Sequence, residues 1–168
     1  MNIEQALEIV SQTHPGRVRA HNEDSVSYDA ERGLVVLADG MGGYNAGEVA
    51  SGITVSVLST EIKHSLQALR PEDVDEGTGE ELAVKLLREN VQKANASIYH
   101  AAHSQPQYAG MGTTVVAGLF YDNRVAVAHV GDSRMYRQRN DKFEQVTMDQ
   151  SLLQELVDRG FYSAEEAQ

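Results

Sequence analysis

Apolar and polar residues along the chain recur at two different periods, and the period separates strands from helices. Leu7-Glu8-Ile9-Val10-Ser11-Gln12-Thr13 alternates, the mark of a half-buried strand. His14-Pro15-Gly16 reads as a turn into Arg17-Val18-Arg19, so a hairpin is expected to open the fold. Ser25 to Tyr28 fits a short strand, and Arg32-Gly33 turns the chain into Leu34-Val35-Val36-Leu37-Ala38. That apolar run is rich in β-branched residues and too short for a helix, so it predicts a buried strand. Asn45-Ala46-Gly47-Glu48 has the form of a capping box and predicts a helix start. Val49, Ile53, Val57 and Glu61 continue at helical spacing, whereas Ile53-Thr54-Val55-Ser56-Val57 alternates like a strand. The cap decides for a helix.

Leu69 to Gly79 is polar, acidic and broken by Pro and Gly, which predicts an exposed connector within one domain. Thr78 with Glu81 forms a second capping box. Val84, Leu87, Val91, Ala94 and Ile98 then repeat at steps of three and four, predicting an amphipathic helix. His100 and His103 lie near its end, where histidine commonly meets helix carbonyls, and they are given no function. From Thr113 to Phe120 and from Arg124 to Val130 two buried strands are expected, joined at Asp122-Asn123. Met135 to Arg139 and Phe143 to Val146 predict a further hairpin around Asn140-Asp141. Ser151 to Arg159 predicts a short helix closed by Gly160, and Ser163-Ala164-Glu165-Glu166 the start of another.

The length of 168 residues suits one domain spanning 1–168 with a sizeable core. Lys plus Arg number 14 against 25 Asp plus Glu, a net charge of −11. A balance that acidic argues against a nucleic-acid or anionic-membrane partner and favours cations. The absence of cysteine removes disulfides, thiolate nucleophiles and thiolate metal sites. No apolar run approaches the roughly 20 residues of a membrane span. The start MNIEQALEIV has no basic leader region. A cytoplasmic location is expected.

Chemistry concentrates at strand ends. Asp39, followed by Gly40, Gly42 and Gly43, closes the buried run LVVLADGMGG. A carboxylate there can hold a cation while glycine backbone lets a carbonyl approach, and the same Asp-Gly pair can simply turn a hairpin. Glu23-Asp24 and Asp132 occupy comparable positions beside predicted strand ends. Carboxylates without His or Cys companions suit hard ions such as Mg²⁺ and Mn²⁺ and suit zinc poorly. Two such ions about 3.5–4 Å apart lower the pKa of a bridging water and orient in-line attack on a phosphoryl group. Arg19 stands four residues before Glu23 and fits either a phosphate clamp or a plain surface charge beside Arg17.

Five segments, in order, resemble the metal-dependent protein phosphatases of type 2C. They are RVRAHNEDS (Arg17 to Ser25), LADGMGGYNAGEVAS (Leu37 to Ser51), GMGTTVV (Gly110 to Val116), VGDSRMY (Val130 to Tyr136) and VTMDQSLLQELVDRG (Val146 to Gly160). The resemblance implies an α+β fold, a central antiparallel β-sandwich flanked by helices on both sides in four αββα layers. It implies two Mn²⁺ or Mg²⁺ ions bridged by Asp39, with the Gly40 carbonyl on one of them and Glu23 and Asp24 holding metal-bound waters. It further implies that Arg19 binds the substrate phosphate and Asp132 helps hold a weaker third ion, with Thr113 and Thr114 as support beside the site. The implied reaction is hydrolysis of phosphoserine or phosphothreonine in proteins by metal-activated water.

Met41 stands where many eukaryotic members carry a histidine general acid; bacterial members share the DGMGG form. The family's later DGLTD-like and DN motifs, which supply two more metal-binding aspartates, do not occur before Gln168. The expectation is therefore an incomplete sandwich lacking about the last third of the domain, with open sheet edges inviting dimerisation. A catalytically silent phosphatase-like module that binds a phosphoprotein or a regulatory partner is the competing expectation.

Overall fold

The computed structural model describes residues 3–43, 45–151 and 154. A one-turn helix α1 (Ile3–Ala6) precedes strand β1 (Asp24–Asp29) and strand β2 (Leu34–Met41). These two pair antiparallel, with Asp24 opposite Asp39 and Asp29 opposite Leu34. Their turn is pinned by the Arg32 N–H donating to Asp29 Oδ1 at 3.1 Å. Gly33 sits there at φ 70°, and a Cβ on it would lie 2.3 Å from the Phe120 carbonyl oxygen, so glycine is required twice over.

β2 also pairs antiparallel with β4 (Val115–Tyr121), which pairs with β5 (Arg124–Val130). The two-residue strand β3 (Gly112–Thr113) meets β2 at Gly40 and Met41, completing a five-stranded sheet. β6 (Tyr136–Arg139) and β7 (Lys142–Gln145) form a separate two-stranded sheet. The two expected hairpin turns carry Asp122 at φ 48° and Asn140 at φ 54°, left-handed positions that Asn and Asp tolerate.

Two long helices, α2 (Ala46–Ser65) and α3 (Leu82–Ser104), cover one face of the five-stranded sheet. Leu34 and Val36 of β2 and Val115, Ala117 and Leu119 of β4 pack there against Leu58, Ile62, Leu87 and Ala94. Strict alternation on β2 follows from its pleat. Leu34, Val36, Ala38 and Gly40 are buried on the helix side, and Leu37, Asp39 and Met41 are exposed on the other. The strand thus aims Asp39 away from the core. α2 nonetheless accommodates its β-branched run, and the buried Thr54 hydroxyl is satisfied by donating to the Ala50 carbonyl at 3.1 Å. The fold is α+β with antiparallel sheets and flanking helices, as expected, and among the described residues both long helices lie on one side.

Several local expectations are corrected. Leu7 to Thr13 forms no strand, Arg17 and Val18 lie in an exposed turn, and Arg19 is exposed just after it. Alternation is only half of a strand's requirement; the other half is an edge to pair with. Ile9 to Gln12 instead lie over the outer sheet face and line a cleft of about 380 Å³ with Val26, Tyr28, Val35 and Leu37. Asn45 does cap α2, but from a left-handed conformation (φ 66°) and with no side-chain bond, so the capping box does not form. Thr78 caps nothing: its N–H and hydroxyl both turn back to Asp75 Oδ1, at 2.9 and 3.0 Å, and α3 starts four residues later, behind Glu81. The connector is held by that turn and by the Asp75–Lys85 ion pair. His103 bonds the Tyr99 carbonyl of its own helix at 2.8 Å. The helices expected at Ser151 to Arg159 and from Ser163 lie almost wholly outside the described residues.

Candidate metal centre

The register of β1 on β2 sets Asp24 directly across from Asp39. Residues opposite one another in an antiparallel pair have Cβ atoms about 4.5–5.5 Å apart, so two like charges there repel. The Asp39 carboxyl is held above the usual carboxylate range, first by partial burial and then by the neighbouring Asp24 carboxyl. Arg19 pulls the other way, and Asp132 adds a smaller push upward. Asp24, Asp132 and Arg19, drawn from three separate segments, thus lie within electrostatic reach of Asp39.

The backbone of Asp39 is fixed on both sides. Its carbonyl accepts from the Thr114 N–H and the Thr113 hydroxyl, each at 2.9 Å, and its N–H donates to Thr114 Oγ1 at 3.2 Å. Thr114 Oγ1 also lies 2.7 Å from Ser133 Oγ, linking Asp39 to the loop that carries Asp132. Gly131, at φ 97°, lets that loop press on Thr114; a Cβ there would lie 2.8 Å from Thr114 Cγ2. On its far side Arg134 clamps Asp149 through two N–H groups, Nε at 2.8 Å and Nη2 at 2.6 Å. This bidentate pair holds Asp149 below the usual carboxylate range.

Glu23 is placed differently from the aspartates. Its carboxyl sits against the first turn of α2, where a Cβ on Gly47 would lie 2.8 Å from its Cδ and Oε1. Its carbonyl accepts from the Gly40 N–H at 3.1 Å and from Ser51 Oγ at 2.6 Å. Gly40 is buried between them, and Met41 is 66% exposed with its Cε over Gly112. Arg19 is exposed in the loop before Glu23. Neither Gly47, Ser51 nor Ser133 stood out in the sequence, although Gly47 and Ser51 both lie within the DGMGG-to-Ser51 segment.

Among the described residues, no three His, Cys, Asp or Glu side chains stand together as a ready-made ligand shell. The donor set is nonetheless all oxygen, two facing carboxylates with a third nearby and backbone carbonyls at the strand end. That fits a hard divalent cation that keeps several waters and takes few protein ligands. A cation would also relieve the repulsion that raises Asp39.

The family described as Protein phosphatase 2C matches residues 13–163. This chain belongs to that family. It is 38% identical over 158 residues to the serine/threonine phosphatase stp of Listeria innocua, covering 92% of this chain and 59% of that protein. To the serine/threonine protein phosphatase PstP of Mycobacterium tuberculosis it is 41% identical over 161 residues, 96% of this chain and 28% of PstP. A crystal structure of the PstP catalytic domain with two manganese ions superposes with a TM-score of 0.72 at 40% identity, covering 90% of this chain and 60% of that one. Stp1 of Staphylococcus aureus gives a TM-score of 0.70 at 36% identity, with 90% and 57% covered. The type 2C fold is therefore shared, and the chain spans about three-fifths of the Listeria relative and of these solved phosphatases.

Proposed function

We propose that the chain acts as a protein serine/threonine phosphatase, hydrolysing phosphoserine and phosphothreonine in protein substrates at a centre of two divalent cations, Mn²⁺ or Mg²⁺. The observation that carries this is the Asp24–Asp39 carboxylate pair, locked in register at a sheet end with Asp132 and Arg19 in electrostatic reach. In this reading Asp39, the Gly40 carbonyl, Glu23 and Asp24 would hold the two cations, with Glu23 and Asp24 acting through water, and Asp132 would help hold a weaker third. The cations supply an attacking water of lowered pKa and offset charge on the phosphoryl group. Thr113 and Thr114 keep Asp39 from turning, since both backbone groups of that residue are engaged. The guanidinium of Arg19 receives phosphate oxygens in a bidentate fork and orients the phosphoryl group for in-line attack. Met41 has no proton to give the leaving alcohol; in this reading a water held at the cations would supply it.

The reading extends to a cytoplasmic setting and to self-association through the open edges of the sheet, β1 and β5. Tyr28, Leu37 and Val125 leave the outer face partly apolar, at 49%, 41% and 41% exposed. Among the described residues no helix is long and apolar enough to cross a membrane.

A second reading, a silent phosphatase-like module that binds a phosphoprotein or regulatory partner, draws on the lack of a ready-made three-residue ligand shell among the described residues. Mn²⁺-dependent hydrolysis of p-nitrophenyl phosphate separates the two. Turnover that rises with Mn²⁺ supports the phosphatase; Mn²⁺ binding without turnover supports the silent module.

A further inference from the structure

Two residues on α2 that belong to no proposed ligand set touch the segment carrying Glu23. Gly47 and Ser51 are four apart, so they share one face of the helix, one turn above the other. Ser51 is completely buried. Its single hydroxyl proton has two acceptors in reach, the Glu23 carbonyl at 2.6 Å and the Glu48 carbonyl at 3.2 Å, and the shorter contact takes it. Ser51 Oγ in turn lies 3.0 Å from Ser25 Oγ, which donates to it. A short hydroxyl chain therefore runs from β1 through the helix to the Glu23 backbone. With the Gly40 N–H bonded to the same oxygen, the Glu23 carbonyl has both lone pairs filled, one from the sheet and one from the helix.

Gly47 governs the other end of the same residue. A Cβ on Gly47 would fall 2.8 Å from the Glu23 carboxyl and 2.7 Å from the Met41 nitrogen, so any side chain there would push the carboxyl out of place. Gly52, on the same helix, has nothing within 4 Å of its Cβ position. The helix is thus open to a methyl group at one glycine and closed at the other.

We infer that Gly47 and Ser51 are positioning residues that together seat Glu23, the serine by holding its carbonyl and the glycine by leaving room for its carboxyl, and that cation binding depends on this seat. The inference rests on the phosphatase reading of the site. Neither residue touches the cation; each acts through Glu23. Groups that orient the ligands of a metal commonly cost about 10- to 100-fold in metal affinity when removed.

The test is Mn²⁺ binding to the whole chain, read by electron paramagnetic resonance, for wild type, Ser51→Ala, Gly47→Ala and Gly52→Ala. Ser51→Ala and Gly47→Ala should bind Mn²⁺ about 10- to 100-fold more weakly, and Gly52→Ala should bind as wild type does. Gly47→Ala and Gly52→Ala make the same chemical change in one helix, and both favour the helical state, so a difference between them separates the contacts at Gly47, with the Glu23 carboxyl and the Met41 nitrogen, from helix propensity, and Ser51→Ala, which adds no atoms, tests the Glu23 seat without that backbone clash. In the metal-free chain, hydrogen exchange at the Gly40 amide should accelerate in Ser51→Ala and stay unchanged in Gly52→Ala. Wild-type binding with equal affinity in all three variants would overturn the seat and leave the phosphatase reading standing. A wild-type chain that binds no Mn²⁺ would overturn that reading, and the seat with it.

Discussion

Adding one methyl group at Gly40 should destabilise the chain about as much as a mild large-to-small change in its core. Gly40 is fully wedged between two backbones: its Cβ would lie 2.1 Å from the Gly47 oxygen, 2.4 Å from the Gly47 carbonyl carbon and 2.7 Å from the Glu23 oxygen. Comfortable carbon contacts lie at about 3.5–4 Å, so strand and helix must part by more than about 1 Å. No side chain can swing aside, because all three obstacles are main-chain atoms. Overpacking costs about 1–3 kcal/mol, and a clash with backbone alone belongs at the top of that range. Alanine recovers about 0.4–1 kcal/mol by restricting the unfolded chain. The net is a loss of about 2 kcal/mol, which at about 2–4 °C per kcal/mol for a domain of this size lowers Tm by about 4–8 °C. The assay is thermal unfolding of the metal-free chain followed by circular dichroism. Gly52→Ala is the reference, expected to raise Tm by about 2–4 °C through helix propensity alone. A Gly40→Ala chain melting at or above the wild-type temperature would refute the packing argument.

Asp39→Asn should raise the melting temperature of the metal-free chain while abolishing its Mn²⁺-induced rise. The folded pKa of Asp39 lies above its unfolded value, so ionisation costs stability as pH climbs through that window, and the amide removes the cost at neutral pH. Thermal melts with and without Mn²⁺ check both halves. Asp75 behaves in the opposite sense: the bond from Lys85, aided by Thr78, lowers its pKa to about 2. Its contribution is present above its unfolded pKa and lost as pH falls toward about 2, so the stability gap between wild type and Asp75→Asn should close over that acid range in pH-dependent melts. Thr114→Val keeps the shape but removes the hydroxyl that receives the Asp39 N–H and meets Ser133. Mn²⁺ titration should show affinity about 10-fold weaker with the fold retained.

Where the sequence was legible, one physical signal dominated. The run Leu34 to Ala38 read as a strand because β-branched residues and shortness leave no alternative, and the same run placed Asp39 at a strand end. The Asn-Asp and Asp-Asn pairs marked both later hairpins because those residues tolerate left-handed backbone. The failures share a cause too: each needed a partner that sequence does not name. Leu7 to Thr13 alternates but crosses the outer face of the sheet and pairs with no edge. Asn45 starts the helix yet does not bond across it, because its left-handed backbone is not the extended one that capping requires. Thr78 donates its hydroxyl to Asp75 instead, and the helix opens behind Glu81. Ser51 and Gly47 were invisible for the same reason, since a buried serine and a helical glycine acquire meaning only once Glu23 is seen against them. The opposition of Asp24 and Asp39 was likewise a matter of register, which neither motif contains.

The account turns on Asp39 as the centre of a metal-dependent phosphatase. The most direct test is release of phosphate from a phosphothreonine peptide by wild type and Asp39→Asn, side by side, with and without saturating Mn²⁺. The account predicts turnover by the wild type only when Mn²⁺ is present, and none above background from Asp39→Asn. Equal rates in the two chains, or Mn²⁺ binding by the wild type with no phosphate released, would contradict it.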